Sequence, residues 1–193
     1  KALTIQPGFY EALANIGTIK QLQGRLDEAI ECFKRTITIQ EDAKGHYNLA
    51  GAYRNQGNLI LAIDHFKKAV DLGSNEPEFY SDLGDALWHD GQIKAAKEFL
   101  HMAVKIDPQH PRANYQLAVF LYDNKEFKLA MNYFEQSQFE DWQERVLYCH
   151  YKLKQFELFE DKLLALTALK NNSPFLATLS THFAQNFQKQ DPY

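Results

Sequence analysis

The sequence predicts an all-α solenoid of stacked antiparallel helix pairs. Apolar residues recur at three- and four-residue spacing on either side of short turns, which is the helical period. The turns themselves recur at Gly24, Gly57, Gly91 and Lys125, in steps of 33, 34 and 34 residues. A small residue (Gly17, Ala50, Gly84, Ala118) stands seven places before each turn. A period of this length marks units that bury their apolar faces only against neighbouring units.

Composition agrees with a packed chain. Of 193 residues, 45% are apolar and 24% charged, so neither disorder nor a membrane protein is indicated. No apolar run reaches the ~18 residues of a membrane span. A net charge of −4 gives no long-range attraction to nucleic acid or acidic membranes, and neither is expected as a partner. Cys32 and Cys149 sit far apart in helical patterns, so a reduced, intracellular (cytoplasmic) setting is expected. No signal-peptide pattern opens the chain. Residues 1–9 read as the tail of a preceding unit, because Lys1–Pro7 matches Met102–Pro108. On that reading the chain is a piece of a longer protein.

The units follow in order. Residues 10–42 carry Leu13, Ile16 and Gly17, the turn Gln23-Gly24-Arg25, then Ala29, Ile30, Phe33 and Thr36. Residues 43–76 repeat this with Leu49, Ala50 and Tyr53, Gly57, then Ala62, Ile63, Phe66 and Ala69. Residues 77–110 are the clearest copy, with Tyr80, Leu83, Gly84 and Leu87, Gly91, then Ala96, Phe99, Leu100, Ala103 and Val104. Residues 111–144 carry Leu117, Ala118 and Leu121, Lys125 in the turn, then Ala130, Phe134 and Ser137. Residues 145–170 read as a degenerate helical unit, in which Lys154-Gln155-Phe156 echoes Lys125-Glu126-Phe127. Residues 171–193 read as a capping helix or a link to a following domain. Ser173 is its expected cap, Pro174 its first residue, and Phe175, Leu179, Phe183 and Phe187 its apolar face. The small residues let helix backbones approach where a larger side chain would overpack the seam.

These residues resemble the tetratricopeptide repeat family, whose pattern over 34 residues they match in three consecutive units: Gly17/Gly24/Ala29/Phe33, Ala50/Tyr53/Gly57/Ala62/Phe66/Ala69 and Gly84/Gly91/Ala96/Ala103/Pro108. The unit-ending Pro is kept only at Pro7 and Pro108, and Lys125 departs from the turn Gly. The resemblance implies a right-handed superhelix whose first helices line a concave groove. It also implies a binding module for an extended peptide.

Groove residues are therefore sought on the first helices. Two places before each small residue stand Asn15, Asn48, Asp82 and Gln116, a ladder of amides and one acid. An amide offers a donor and an acceptor, and so can pair with both groups of a peptide bond. The repeats of O-linked N-acetylglucosamine transferases carry asparagine at the matching place, and Asn15 and Asn48 keep it. Tyr47, Trp88, Tyr115 and Tyr122 are candidate anchors, since part-exposed Tyr and Trp suit interfaces. Asp85, His89 and Arg54 complete the set. With Glu78, Asp82, Asp85 and Asp90 on one helix, the groove there is expected to be acidic and to favour a basic or neutral segment. The carboxylate clamp of the chaperone-binding branch is not expected. Lys44 and Asn48 have a spacing similar to it, but Asp82 and Asp85 stand where cations are needed.

Catalysis finds little support. The seven histidines form no two-His metal spacing with an acid, and no cofactor or metal is expected. Cys149 and His150 are sequence neighbours that point to different faces of a helix. The expected function is protein–protein interaction. The alternative is a substrate-recruiting arm of a larger enzyme, such as a glycosyltransferase. Self-association through the Phe175–Phe187 face is a further expectation.

Overall fold

The computed structural model describes residues 9–73, 75–139, 141–169 and 174–187, excepting the side chains of 182 and 185–187. Among the described residues all regular structure is helical. Four pairs come first: α1 (Phe9–Leu22) with α2 (Leu26–Ile39), α3 (Ala43–Asn55) with α4 (Leu59–Asp71), α5 (Pro77–His89) with α6 (Ile93–Ile106), and α7 (Pro111–Asp123) with α8 (Phe127–Ser137). They are followed by α9 (Trp142–Lys152), α10 (Phe156–Leu169) and α11 (Pro174–Phe187). The chain divides into two compact units, Lys1–Ala113 and Asn114–Tyr193.

The helices end as the sequence dictates. At Gly91 the N–H groups of Gly91 and Gln92 donate to Trp88 O and Leu87 O at 3.0 and 2.9 Å. Gly91 has φ +81°, the left-handed turn that ends a helix and that glycine adopts without strain. The same pair of hydrogen bonds closes the turns at Gly24, Gly57, Lys125 and Lys154. Lys125 and Lys154 hold φ +64° and +58° without glycine, so the turn is kept where its preferred residue is absent. Asp42 caps α3 by accepting from Gly45 N at 2.7 Å, and Pro77 opens α5.

In the first unit the core alternates small and large residues. A Cβ on Gly17 would stand 2.6 Å from Phe33, and one on Gly84 would stand 2.7 Å from Leu100 Cγ. That closeness is why glycine occupies both seams. Phe33, Phe66 and Leu100 are fully buried beside Ala29, Ala62 and Ala96. Each such large side chain contributes about 1.5–3 kcal/mol by leaving water.

One core expectation is corrected. Ile16 is 46% exposed, while Leu49 and Leu83, at the same place relative to their turns, are fully buried. The reason is stacking: α2 packs on α3 and α4 on α5, but no described helix covers that side of α1.

The second unit has its own core of Leu147, Phe159, Leu163, Leu166, Leu176, Leu179 and Phe183. This corrects the reading of α11. The stripe it buries runs through Leu176, Leu179 and Phe183, leaving Phe175 exposed. Leu179 and Phe183 are taken up by the unit's interior, so they form no open face for self-association. Ser173 and the side chain of Phe187 lie outside the described residues.

Candidate functional site

Asp82 sits inside α5, and its side chain is only 1% exposed. Donors from two other helices meet it. Tyr47, on α3, donates its hydroxyl to Oδ2 at 2.6 Å. Arg112, the second residue of α7 and part of the first unit, donates from Nη2 to Oδ1 at 2.6 Å. Arg54, near the end of α3, forms an ion pair from Nη1 to the same oxygen at 3.3 Å. A carboxylate withdrawn from water is tolerated only when paired and hydrogen-bonded, and here both oxygens are engaged.

The donors are themselves held in place. The Tyr47 ring stacks on Phe79 with centroids 4.1 Å apart and 7° between planes. Burial, and then the Asp82 charge, push the Tyr47 phenol above its ordinary range, which keeps it a donor. The Arg54 guanidinium lies 5.5 Å above the Phe66 ring. Arg54 and Arg112 side chains remain 31% and 43% exposed, so both guanidinium groups still meet solvent.

Asp85, one turn on, is partly buried. Burial raises its carboxyl, while nearby His89 and Arg54 pull it the other way. His89 is exposed, with Nδ1 2.9 Å from the Asp85 carbonyl oxygen. Trp88 is half-buried with its ring edge-on to His89 at 5.4 Å.

Asn15 on α1 is exposed and Asn48 on α3 half-buried. Among the described residues neither amide has a hydrogen-bond partner. One turn beyond Asn48 stands Gly51, where a Cβ would meet only Gln21 Nε2 at 3.7 Å. At Gly51, then, a side chain's first carbon would meet no other described neighbour within 4 Å.

Two expectations change. Asp82 is not an open rung of the ladder but a buried node joining α3, α5 and α7. The acidic floor expected around it is neutralised by Arg54 and Arg112, which removes the ground for preferring a basic segment.

Gln116, Tyr115 and Tyr122 belong to the second unit. Gln116 is half-buried. Tyr115 donates its hydroxyl to Asp141 Oδ2 at 3.2 Å, and Arg145 Nε donates to the same oxygen at 2.8 Å. Tyr122 packs among aromatic rings, with Phe127 at 5.3 Å and Tyr148 at 6.0 Å.

Arg112 escaped the reading of the sequence, though a signal was present. Glu11, Lys44, Glu78 and Arg112 each stand four places before a ladder residue, on the same helix face, and alternate in sign.

Other reactive groups are occupied by the fold. Burial pushes the Cys149 thiol up to about 12, and His150 Nδ1 lies 2.7 Å from Gln155 Oε1. They do not form a nucleophile–base pair. His46 and His65 face each other with Nδ1 atoms 2.9 Å apart, and Glu41 meets His46 Nε2 at 3.1 Å. Among the described residues no group of three or more His, Cys, Asp or Glu could hold a metal ion. Among them, too, no helix is long and apolar enough to cross a membrane.

Three family profiles match the chain: "Tetratricopeptide repeat" over residues 10–42, "YpiA-like, C-terminal tetratricopeptide repeats" over 44–110, and "Tetratricopeptide repeat" again over 88–146. The chain belongs to the tetratricopeptide repeat family. Together the matches cover residues 10–42 and 44–146, which take in most of the first unit and part of the second. Bacteriophage adsorption protein A of Escherichia coli (strain K12) is 30% identical over 99 residues, which are 51% of this repeat chain and 10% of that protein. Protein O-mannosyl-transferase TMTC3 of Homo sapiens is 27% identical over 130 residues, 62% of this chain and 13% of that protein. The chain thus spans a small part of these curated relatives. Among solved structures, YrrB, described as a TPR protein with an unusual peptide-binding site, superposes with a TM-score of 0.71. The match covers 88% of this chain and 90% of YrrB at 16% identity, which shows a shared fold.

Proposed function

We propose that this tetratricopeptide repeat chain is a protein-interaction module that holds an extended segment of another polypeptide along the first-helix face of its first unit. The observation that carries this is the pair of amides, Asn15 and Asn48, one repeat apart on successive first helices and without a hydrogen-bond partner among the described residues. A side-chain amide pairs with both polar groups of a peptide bond, so such a pair recognises backbone with little dependence on sequence. Gly51 leaves room for the segment to approach. Asp85, Trp88, His89 and Arg54, around the buried Asp82–Tyr47 bond, set its side-chain preference. In the second unit, taken by itself, Gln116, Tyr115 and Tyr122 are the candidate contact residues. The free cysteines Cys32 and Cys149 fit a reducing, intracellular setting.

The test is a peptide-array measurement with wild type and with Asn15→Ala/Asn48→Ala. The double variant is expected to lose at least about fivefold in affinity across unrelated sequences, as two hydrogen bonds of about 0.5–1.5 kcal/mol each imply. Unchanged binding would refute the amide ladder.

A second reading rests on the similarity to the mannosyl-transferase. Here the same face recruits substrate for a catalytic domain elsewhere in a larger protein. Fusing the chain to an unrelated transferase and finding new modification of array-selected peptides supports it. An unaltered substrate range contradicts it.

A further inference from the structure

We propose that His46 and His65 form a proton-operated latch between α3 and α4, closed by one proton shared between the two rings and opened by the uptake of two more. The device goes beyond the peptide reading and is independent of what the first-helix face binds.

The two rings meet head on. Their Nδ1 atoms are 2.9 Å apart, and their centroids are 5.1 Å apart with 22° between planes. The centroid separation exceeds the nitrogen separation by about one ring diameter. Both nitrogens therefore lie close to the line joining the ring centres, and the rings touch edge to edge rather than face to face. Two lone pairs aimed at each other this closely need a proton between them. The outer partner says which ring supplies it. His46 Nε2 stands 3.1 Å from Glu41 Oε1, and a carboxylate accepts, so that nitrogen carries the hydrogen. His46 Nδ1 then offers its lone pair, and His65 Nδ1–H donates to it. A second proton in the gap would set two N–H groups and two charges against each other.

The pair occupies a place that the neighbouring repeats fill with other side chains. Counted from the turn glycines, Leu13 and Tyr80 hold the place of His46, and Cys32 and Phe99 hold that of His65. The Tyr80 and Phe99 rings pack on each other with centroids 6.5 Å apart. A polar pair in such a seam adds nothing to burial, and departures of this kind mark function. The surroundings resist charge on the closed pair. His46 is 2% exposed. The groups that face the pair are Lys34 on α2, Glu41 before α3, Tyr53 on α3, and Asp64 and Lys68 on α4. Burial first, then His46, Lys68 and Lys34, lower His65 to about 4, while Asp64 acts in the opposite sense. Once α4 leaves α3, both rings reach water, where a histidine titrates near 6.5. Protons thus favour the open form. The latch is firm above about pH 6.5 and weakens as pH falls from there through about 4, with two protons taken up per opening.

The experiment is amide hydrogen exchange on the full chain as a function of pH, with opening constants for α4 corrected for the intrinsic pH dependence of exchange. In wild type the α4 opening constant is expected to rise about fiftyfold between about pH 6 and about pH 5, the two-proton value. His65→Gln and His46→Gln are each expected to cut this to about eightfold, the one-proton value. Glu41 and Asp64 are present in all these proteins, so their titration does not enter the comparison. His101→Gln, at an exposed place on α6, should leave the fiftyfold rise unchanged. A wild-type rise of eightfold or less overturns the latch, and so does a rise in His65→Gln as steep as in wild type. Proton–nitrogen correlation spectra of the imidazoles at neutral pH give a second readout that needs no variant. They are expected to show His46 protonated at Nε2 and His65 at Nδ1. Spectra in which neither Nδ1 carries a proton overturn the proposal. Where His46→Gln does not fold, His65→Gln and these spectra decide it.

Discussion

The Tyr47 hydroxyl on α3 donates to the buried Asp82 carboxylate on α5 at 2.6 Å, so one hydrogen bond ties two successive repeats across their first helices. In a stacked array stability is the sum of each repeat and its interfaces, so a bond at this place acts on the seam. Tyr47→Phe is expected to cost about 1.5–3 kcal/mol, the range for a hydrogen bond to a charged group. Asp82→Ala is expected to cost about 3 kcal/mol or more, because it leaves Tyr47, Arg54 and Arg112 without their shared acceptor. The double variant should cost clearly less than the sum, with a coupling of about 1 kcal/mol or more in urea denaturation. Simple additivity would show that the bond does not link the repeats.

Two glycines on equivalent first helices are expected to respond in opposite directions. Gly51→Ala gains helix propensity with no close neighbour, since its Cβ would meet only Gln21 Nε2 at 3.7 Å. It should stabilise the chain by about 0.5–1 kcal/mol. Gly84→Ala places a Cβ 3.1 Å from the Leu100 backbone nitrogen and 2.7 Å from its Cγ, and overpacking of this kind costs about 1–3 kcal/mol. Thermal melts of the two variants decide it, and shifts of the same sign would contradict the seam geometry.

Acid should open the second repeat first. His65 is lowered to about 4, by burial first and then by His46, Lys68 and Lys34, while Asp64 acts in the opposite sense. An unfolded His titrates near 6.5, so its stabilising contribution is complete above that pH and is lost as pH falls from about 6.5 through 4. His46, with Glu41 on its far nitrogen, and the stacked Tyr53 ring also face it. His65→Asn, which cannot take up a proton in this range, should flatten the fall in melting temperature between those pH values. An equally steep fall in both proteins would exclude His65 as the source.

The same repeat place should differ in weight between the first and third pairs. Leu83→Ala is expected to cost about 2–5 kcal/mol, as fully buried leucines do. Ile16→Ala, at a site 46% exposed, should cost under about 1 kcal/mol. Denaturant midpoints for the two variants provide the comparison. Equal losses would mean that the Ile16 face is covered in solution.

Much of the fold was legible because it is periodic. The turn at Lys154 was readable from its echo of Lys125, and both adopt the left-handed conformation although neither is glycine. Hydrogen bonding to the preceding turn outweighs the modest cost of φ > 0 in a lysine. Ile16 was misplaced because a residue's pattern tells which side of its helix is apolar but not whether a neighbour covers it. In α11 the apolar face was read through Phe175, whereas packing against Phe159 and Leu163 selected Leu176. Helical spacing alone does not separate two adjacent apolar stripes.

The site was legible only in outline. The ladder place was readable from the repeat, and among the described residues the Asn15 and Asn48 amides have no hydrogen-bond partner. Asp82 shares that place and yet turns into a buried node, because its partners come from other repeats: Tyr47 thirty-five residues before it and Arg112 thirty residues after. Reading one helix at a time gave four acids, Glu78, Asp82 and Asp85 on α5 and Asp90 at its end, and an acidic floor. Charge balance across the seam depends on which side chains of neighbouring helices meet, and that is a tertiary fact.

Peptide binding on the first-helix face is tested most directly by NMR chemical-shift mapping with a dodecapeptide selected on the array. Shifts are predicted to cluster at Asn15, Asn48, Gly51, Arg54 and Asp85, with α2, α4 and α6 unaffected outside the turns. A map that instead falls on α2, α4 and α6, with Asn15, Asn48 and Gly51 unmoved, would contradict binding at this face.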